Sequence, residues 1–90
     1  MLDLIACLRG EKRAWDALVA HAAPIILAAV RRTLISHNHR ADKGLAEDIA
    51  QDVFVRLVKD DFRLLRRYDP ARASLSTWLT LVARSTTLNQ

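Results

Sequence analysis

Asp48, Gln51, Asp52 and Val55 recur at i, i+3, i+4 and i+7, so a helix through them gathers two carboxylates, an amide and a β-branched apolar side chain on one face. Such a face can set its carboxylates against the basic groups of a partner helix while the valine packs at the centre. The same pattern also describes a plain solvated helix face. Downstream the charge reverses. Arg66, Arg67, Arg72 and Arg84 flank a Tyr68-Asp69-Pro70 turn and a segment rich in hydroxyls, among them Ser74, Thr77, Thr80 and Ser85. Guanidinium groups neutralise phosphates, and hydroxyls with loop backbone can hydrogen-bond a splayed base. Charges separated in this way suggest an adaptor with one surface for protein and another for nucleic acid.

Nothing in the chain assembles a catalytic constellation. It has no Gly-rich phosphate loop and no His-Glu-x-x-His. His37 and His39 can offer two imidazoles from a loop, but no acidic or thiol companion stands nearby, and solvated loop residues are the better reading. His21 reads as half-exposed and structural. Asp60-Asp61 lies between Lys59 and Arg63 as a charge cluster at a helix end. Cys7 is the single cysteine, which precludes an intrachain disulfide and suits a reducing cytoplasm. Its neighbours Leu4, Ile5 and Leu8 make it a small buried hydrophobe rather than a reactive thiol. No enzymatic activity, metal or cofactor is expected.

The elements that must hold these residues are helical. Ninety residues suffice for one domain with one modest core, and two glycines with two prolines are too few for a many-turned β-fold. A first short helix near 2–9 ends at Gly10, a plausible cap. The next, about 11–34, carries Trp15, Leu18, Val19, Ala22, Ile26, Ala29, Val30 and Thr33 on one stripe. Pro24 lies inside it and predicts a kink or a break. Residues 36–44 read as a polar loop. A third helix, about 45–59 and capped by Asp42 or a near neighbour, buries Ala46, Ile49, Ala50, Val53 and Leu57. Glu47 and Asp48 suit its positive end. A basic connector follows, with Phe62 and Leu65 touching the core. Ser74 caps a last helix that buries Leu75, Trp78, Leu79 and Val82. The fold class is all-α, a small bundle of three to four helices. The N-terminus does not read as a signal peptide, and the longest apolar run, Ala22 to Val30, is about half a bilayer span. No membrane association is expected. A surplus of four positive charges is compatible with a polyanionic partner.

With these residues in place, Ala46-Glu47-Asp48-Ile49-x-Gln51-Asp52-Val53-Phe54-x-Arg56-Leu57 resembles the signature helix of region 2 in bacterial RNA polymerase sigma factors. The extracytoplasmic-function group is the best match. The pattern continues in order with Tyr68-Asp69-Pro70, Ala73-Ser74, Trp78-Leu79 and Ala83-Arg84. Upstream, Gly10-Glu11-x-x-Ala14-Trp15-x-x-Leu18 and Pro24 are similar to that family's opening helix. The resemblance implies one region 2-like domain over residues 1–90, with no counterpart of region 4, the −35-reading domain.

It also implies a role for each surface. The acidic helix would dock on the clamp helices of the polymerase β′ subunit through Asp48, Gln51, Asp52 and Val55, with Glu47 and Arg56 at the margins. The turn and last helix would bind the promoter −10 element and hold a base flipped from the non-template strand. This maps onto Arg66, Arg67, Tyr68, Arg72 and Ser74, and onto Thr77, Thr80, Leu81, Arg84, Ser85 and Leu88. Trp78 is better read as core than as a stacking platform. An anti-sigma factor is a further partner of this kind of domain, and the location implied is cytoplasmic. Two positions depart from the family pattern. Ser85 replaces a common Asn, and one short hydroxyl cannot make a bidentate amide contact with a base. Asn89 stands where an Asp often occurs. The alternative is a sigma-like protein-interaction module that does not recognise promoters.

Overall fold

Asp3 starts the first helix, its Oδ1 accepting the Ala6 amide at 3.0 Å. In the computed structural model, which describes residues 2–37 and 42–89, four helices follow one another: α1 (Leu4–Leu8), α2 (Lys12–Ser36), α3 (Lys43–Arg66) and α4 (Leu75–Leu88). Helix α1 stops in a Schellman motif. The Gly10 amide donates to Cys7 O at 3.0 Å and the Glu11 amide to Ala6 O at 3.1 Å, with Gly10 at φ +81, a left-handed conformation that glycine adopts without a Cβ penalty. The expected cap at Gly10 is therefore present.

Helix α2 is the hub and packs against α1, α3 and α4. Leu18, Ala22, Ile26, Ala29, Val30, Thr33 and Leu34 are buried along it, while Trp15 and Val19 are half-buried. Of the kink or break anticipated at Pro24, the break does not occur, and the helix continues through it. Pro24 and Ala20 are both exposed, and Pro24 has no N–H to donate to the Ala20 carbonyl. Buried residues on either side of the proline hold the helix together. His21 is exposed rather than half-exposed. By length and composition α2 resembles a membrane span, but its apolar stripe is spent on the bundle's own core.

Helix α3 is capped by Asp42, whose Oδ1 accepts Gly44 N at 2.7 Å and Leu45 N at 3.4 Å. Ala46, Ile49, Val53 and Leu57 are buried and Ala50 is half-buried. The helix is interrupted near the place where its pattern ends. Lys59 turns extended (φ −57, ψ 144), and Asp60, Asp61 and Phe62 take left-handed angles of φ 54, 58 and 60. One further turn, Arg63–Arg66, then completes α3, where the sequence suggested only a connector. A left-handed residue costs about 1–2 kcal/mol, so tertiary contacts must fix this break. Two groups of contacts do so. The Phe62 ring sits 6.0 Å from that of Trp15, which also meets Phe54 edge-on at 6.2 Å. Arg66 donates from Nε to Asp61 O at 2.8 Å and from Nη2 to Leu8 O at 3.0 Å. Leu65 is buried and Phe62 half-buried, both as anticipated.

Ser74 caps α4, its Oγ accepting Thr77 N at 3.2 Å. Leu79 and Val82 are buried as expected, whereas Leu75 and Trp78 are only half-buried. Ala83, Thr86 and Thr87 complete the buried face. Their hydroxyl content does not conflict with burial, because Thr86 donates to Val82 O and Thr87 to Ala83 O, each at 2.8 Å. Thr33 on α2 does the same to Ala29 O at 2.8 Å.

Candidate protein and nucleic-acid interfaces

Burial of Ala46, Ile49, Val53 and Leu57 fixes the rotation of α3 and turns Glu47, Asp48, Gln51, Asp52 and Val55 to solvent. Val55 is 57% exposed, a large fraction for a branched apolar side chain, and shares a groove with Asp52. The ion pairs among the described residues are Lys12–Asp16 and Arg66–Asp61, so Asp48 and Asp52 form none there. The face is acidic, amide-bearing and apolar at one end.

Arg56 stands at its margin but is committed elsewhere. Its Nη1 donates to Thr86 Oγ1 at 2.6 Å, tying α3 to α4. A groove between these helices is lined by Asp52, Val55, Arg56, Lys59, Thr86 and Asn89.

The Tyr68-Asp69-Pro70 turn is built by its own side chains. Tyr68 Oη donates to Ala73 O at 2.9 Å, closing the loop, and Asp69 Oδ1 accepts Ala71 N at 2.9 Å in an Asx turn. The Arg72 amide returns to Asp69 O at 3.0 Å. The Tyr68 ring rests on Trp78, centroids 5.2 Å apart at 44°, so Trp78 supports the turn from beneath, packed against the core. Arg67, Arg72 and Ser74 are exposed around the loop. Ser74 Oγ also donates to Thr77 Oγ1 at 3.0 Å, which links cap and helix face.

On α4, Thr77, Leu81, Arg84, Ser85 and Leu88 are exposed and follow helical spacing along one face, with Leu81 57% exposed. Thr80 is half-buried and donates to Ser76 O at 2.9 Å. Leu81, Arg84, Ser85 and Leu88 line a shallow depression with Asn89. The face is basic, hydroxylated and partly apolar.

Arg66 departs from this group. Its guanidinium is spent on Leu8 O, Asp61 O and, at 3.6 Å, the Asp61 carboxylate. It anchors α1 to the end of α3, whereas Arg67, Arg72 and Arg84 are exposed and form no ion pair among the described residues. Three further cations carry no motif that marks them in the sequence. Arg32 and Ser36 of α2 share a depression with Thr80 and Arg84. The only signal for Arg32 is its position next to the buried Thr33. Lys59 and Arg63 share another depression with Arg56 and Arg67, beside the break in α3. His37 is exposed and His39 lies outside the described residues. Among the described residues no three His, Cys, Asp or Glu side chains gather.

Residues 18–90 match the Sigma-70 region 2 family, and the chain belongs to that family, the part of a sigma factor that takes part in transcription initiation. The family is a non-enzymatic one that binds the RNA polymerase core and promoter DNA. No curated protein and no solved structure matches the chain.

Proposed function

We propose that this domain, of the extracytoplasmic-function type, joins the RNA polymerase core through the exposed face of α3 and engages the unpaired −10 strand through the 68–74 turn and α4. The observation that carries the reading is the exposed Asp48, Gln51, Asp52 and Val55 face, whose carboxylates form no ion pair among the described residues and whose orientation is set by burial of the opposite side of the same helix. Carboxylates in this position steer toward basic residues on the β′ clamp helices, and Val55 supplies the apolar centre. Arg56 serves this face indirectly by fixing α3 against α4. On the second surface Arg67, Arg72 and Arg84 would neutralise phosphates, and the closed Tyr68–Ala73 loop would present backbone groups to a flipped base. The domain acts without catalysis, in the cytoplasm where the polymerase works. An anti-sigma factor covering the α3 face would block the same docking.

Co-elution with RNA polymerase core on gel filtration tests this reading. The wild-type chain co-elutes, and the Asp48→Arg/Asp52→Arg double variant elutes alone while keeping its helical circular dichroism. Co-elution of both would overturn it. The second reading, a sigma-like module for protein interaction only, is favoured by the exposed single hydroxyl of Ser85. Absence of base preference on single-stranded DNA, with polymerase binding intact, would establish it instead.

A further inference from the structure

At Arg56, Lys59, Arg63 and Arg67 the spacing is i, i+3, i+7 and i+11. On a straight helix these residues would form a convex stripe. The interruption at Lys59–Phe62 separates the two helical pieces, and the four cations instead line one concave depression with Asp60 and Leu64. None of the four belongs to an ion pair among the described residues. Four positive side chains face one carboxylate there, so the concavity is strongly cationic. Arg56 is held in place by the 2.6 Å bond to Thr86, whose hydroxyl is in turn oriented toward Val82 O at 2.8 Å. One guanidinium is therefore pre-positioned, which lowers the ordering cost of binding an anion.

We infer that this concavity is a backbone-phosphate subsite for single-stranded nucleic acid, receiving the strand as it runs off the Tyr68 turn past Arg67. The inference rests on the proposed strand-binding role of that turn. Arg67 directly precedes Tyr68 and lines the concavity, so the two sites are continuous in the chain. Leu64 offers no hydrogen bond to a base and Asp60 would repel a bare phosphate, so the site supplies charge without base readout. Its contribution is uniform across sequences.

The test is fluorescence anisotropy of the full chain with oligothymidylates of four, eight and twelve nucleotides and with mixed-sequence DNA, over a range of salt. Lys59→Ala/Arg63→Ala is the variant, with its fold checked by circular dichroism. For the twelve-nucleotide strand, the slope of log affinity against log salt falls in magnitude by about 0.7 for each phosphate that is no longer neutralised. Binding of the four-nucleotide strand, too short to span turn and concavity, changes little. Lys59→Arg/Arg63→Lys, which keeps both charges, retains the wild-type slope. An unchanged slope in the alanine variant overturns the subsite and leaves the turn's role intact. A reduced slope without base preference supports the subsite and contradicts −10 recognition. Inorganic tripolyphosphate binding with no gain from strand length would mean a free-phosphate site and overturn the inference. Failure of the wild type to bind any strand would overturn it too, with polymerase docking judged separately by co-elution.

Discussion

Arg56 Nη1 donates to Thr86 Oγ1 across 2.6 Å, linking the helix that carries the acidic face to the helix that carries the basic one. Thr86 is 3% exposed and Arg56 approaches it from the surface. A hydrogen bond from a charged donor contributes about 1.5–3 kcal/mol, toward the lower end where water reaches the donor. Arg56→Ala and Thr86→Val should each lower stability, and a double-mutant cycle in urea should return a coupling of about 1–2 kcal/mol. Additive losses would mean that the bond contributes nothing to holding the helices together.

Arg66 plays a comparable role at the other end of α3. Arg66→Ala removes donors to Leu8 O and Asp61 O and should speed hydrogen exchange of the Ala6 and Cys7 amides in α1 before the core opens. Affinity of the folded fraction for single-stranded DNA should stay within about twofold, because this guanidinium is already engaged by Asp61 O and Leu8 O. A drop as large as that caused by Arg67→Ala would return Arg66 to the nucleic-acid surface.

The left-handed run at Asp60–Phe62 predicts a stabilising substitution. Asp61 sits at φ 58, and its carboxylate contact with Arg66 is long and exposed at 3.6 Å, so removing the side chain sacrifices little. Glycine relieves about 1–2 kcal/mol of left-handed cost against about 0.5–1 kcal/mol of added chain entropy. Asp61→Gly should therefore raise the urea midpoint slightly, whereas Asp61→Val should lower it. Destabilisation by glycine would show that the break is not strained at this residue.

Cys7 gives a pH-dependent signature. Burial, then the nearby Asp3 carboxylate, pushes its thiol pKa up, while an unfolded chain ionises near pH 8.5. A folded pKa above the unfolded one means that the contribution to stability is complete below pH 8.5 and is lost as pH rises toward the folded value. The urea midpoint of the wild type should therefore fall more steeply above about pH 8.5 than that of Cys7→Ala. Parallel profiles would contradict the burial argument.

Much of this architecture was legible because its signals are local and periodic. The cap at Ser74, the cap at Asp42 and the buried stripe of α3 each follow from residue type and spacing. Of the kink or break that Pro24 predicts, the break is absent, because its local penalty is offset by buried residues on both sides of it in α2. The break in α3 was visible only as the end of a pattern. Nothing in Asp60-Asp61-Phe62 announces left-handed angles, which depend on Trp15 and Leu8, residues distant in the chain. The same distance explains Arg56 and Arg66. An arginine's type says that it can bind a carboxylate, a phosphate or a carbonyl, and only the fold says which is within reach.

Docking through the α3 face is decided by the affinity of the full chain for a β′ clamp-helix fragment, measured by calorimetry for the wild type and Asp52→Arg. Wild-type binding should weaken at least about tenfold in Asp52→Arg, a difference of about 1.4 kcal/mol or more, with the thermal midpoint unchanged. Equal affinities for the two proteins would contradict the assignment of this face to the polymerase.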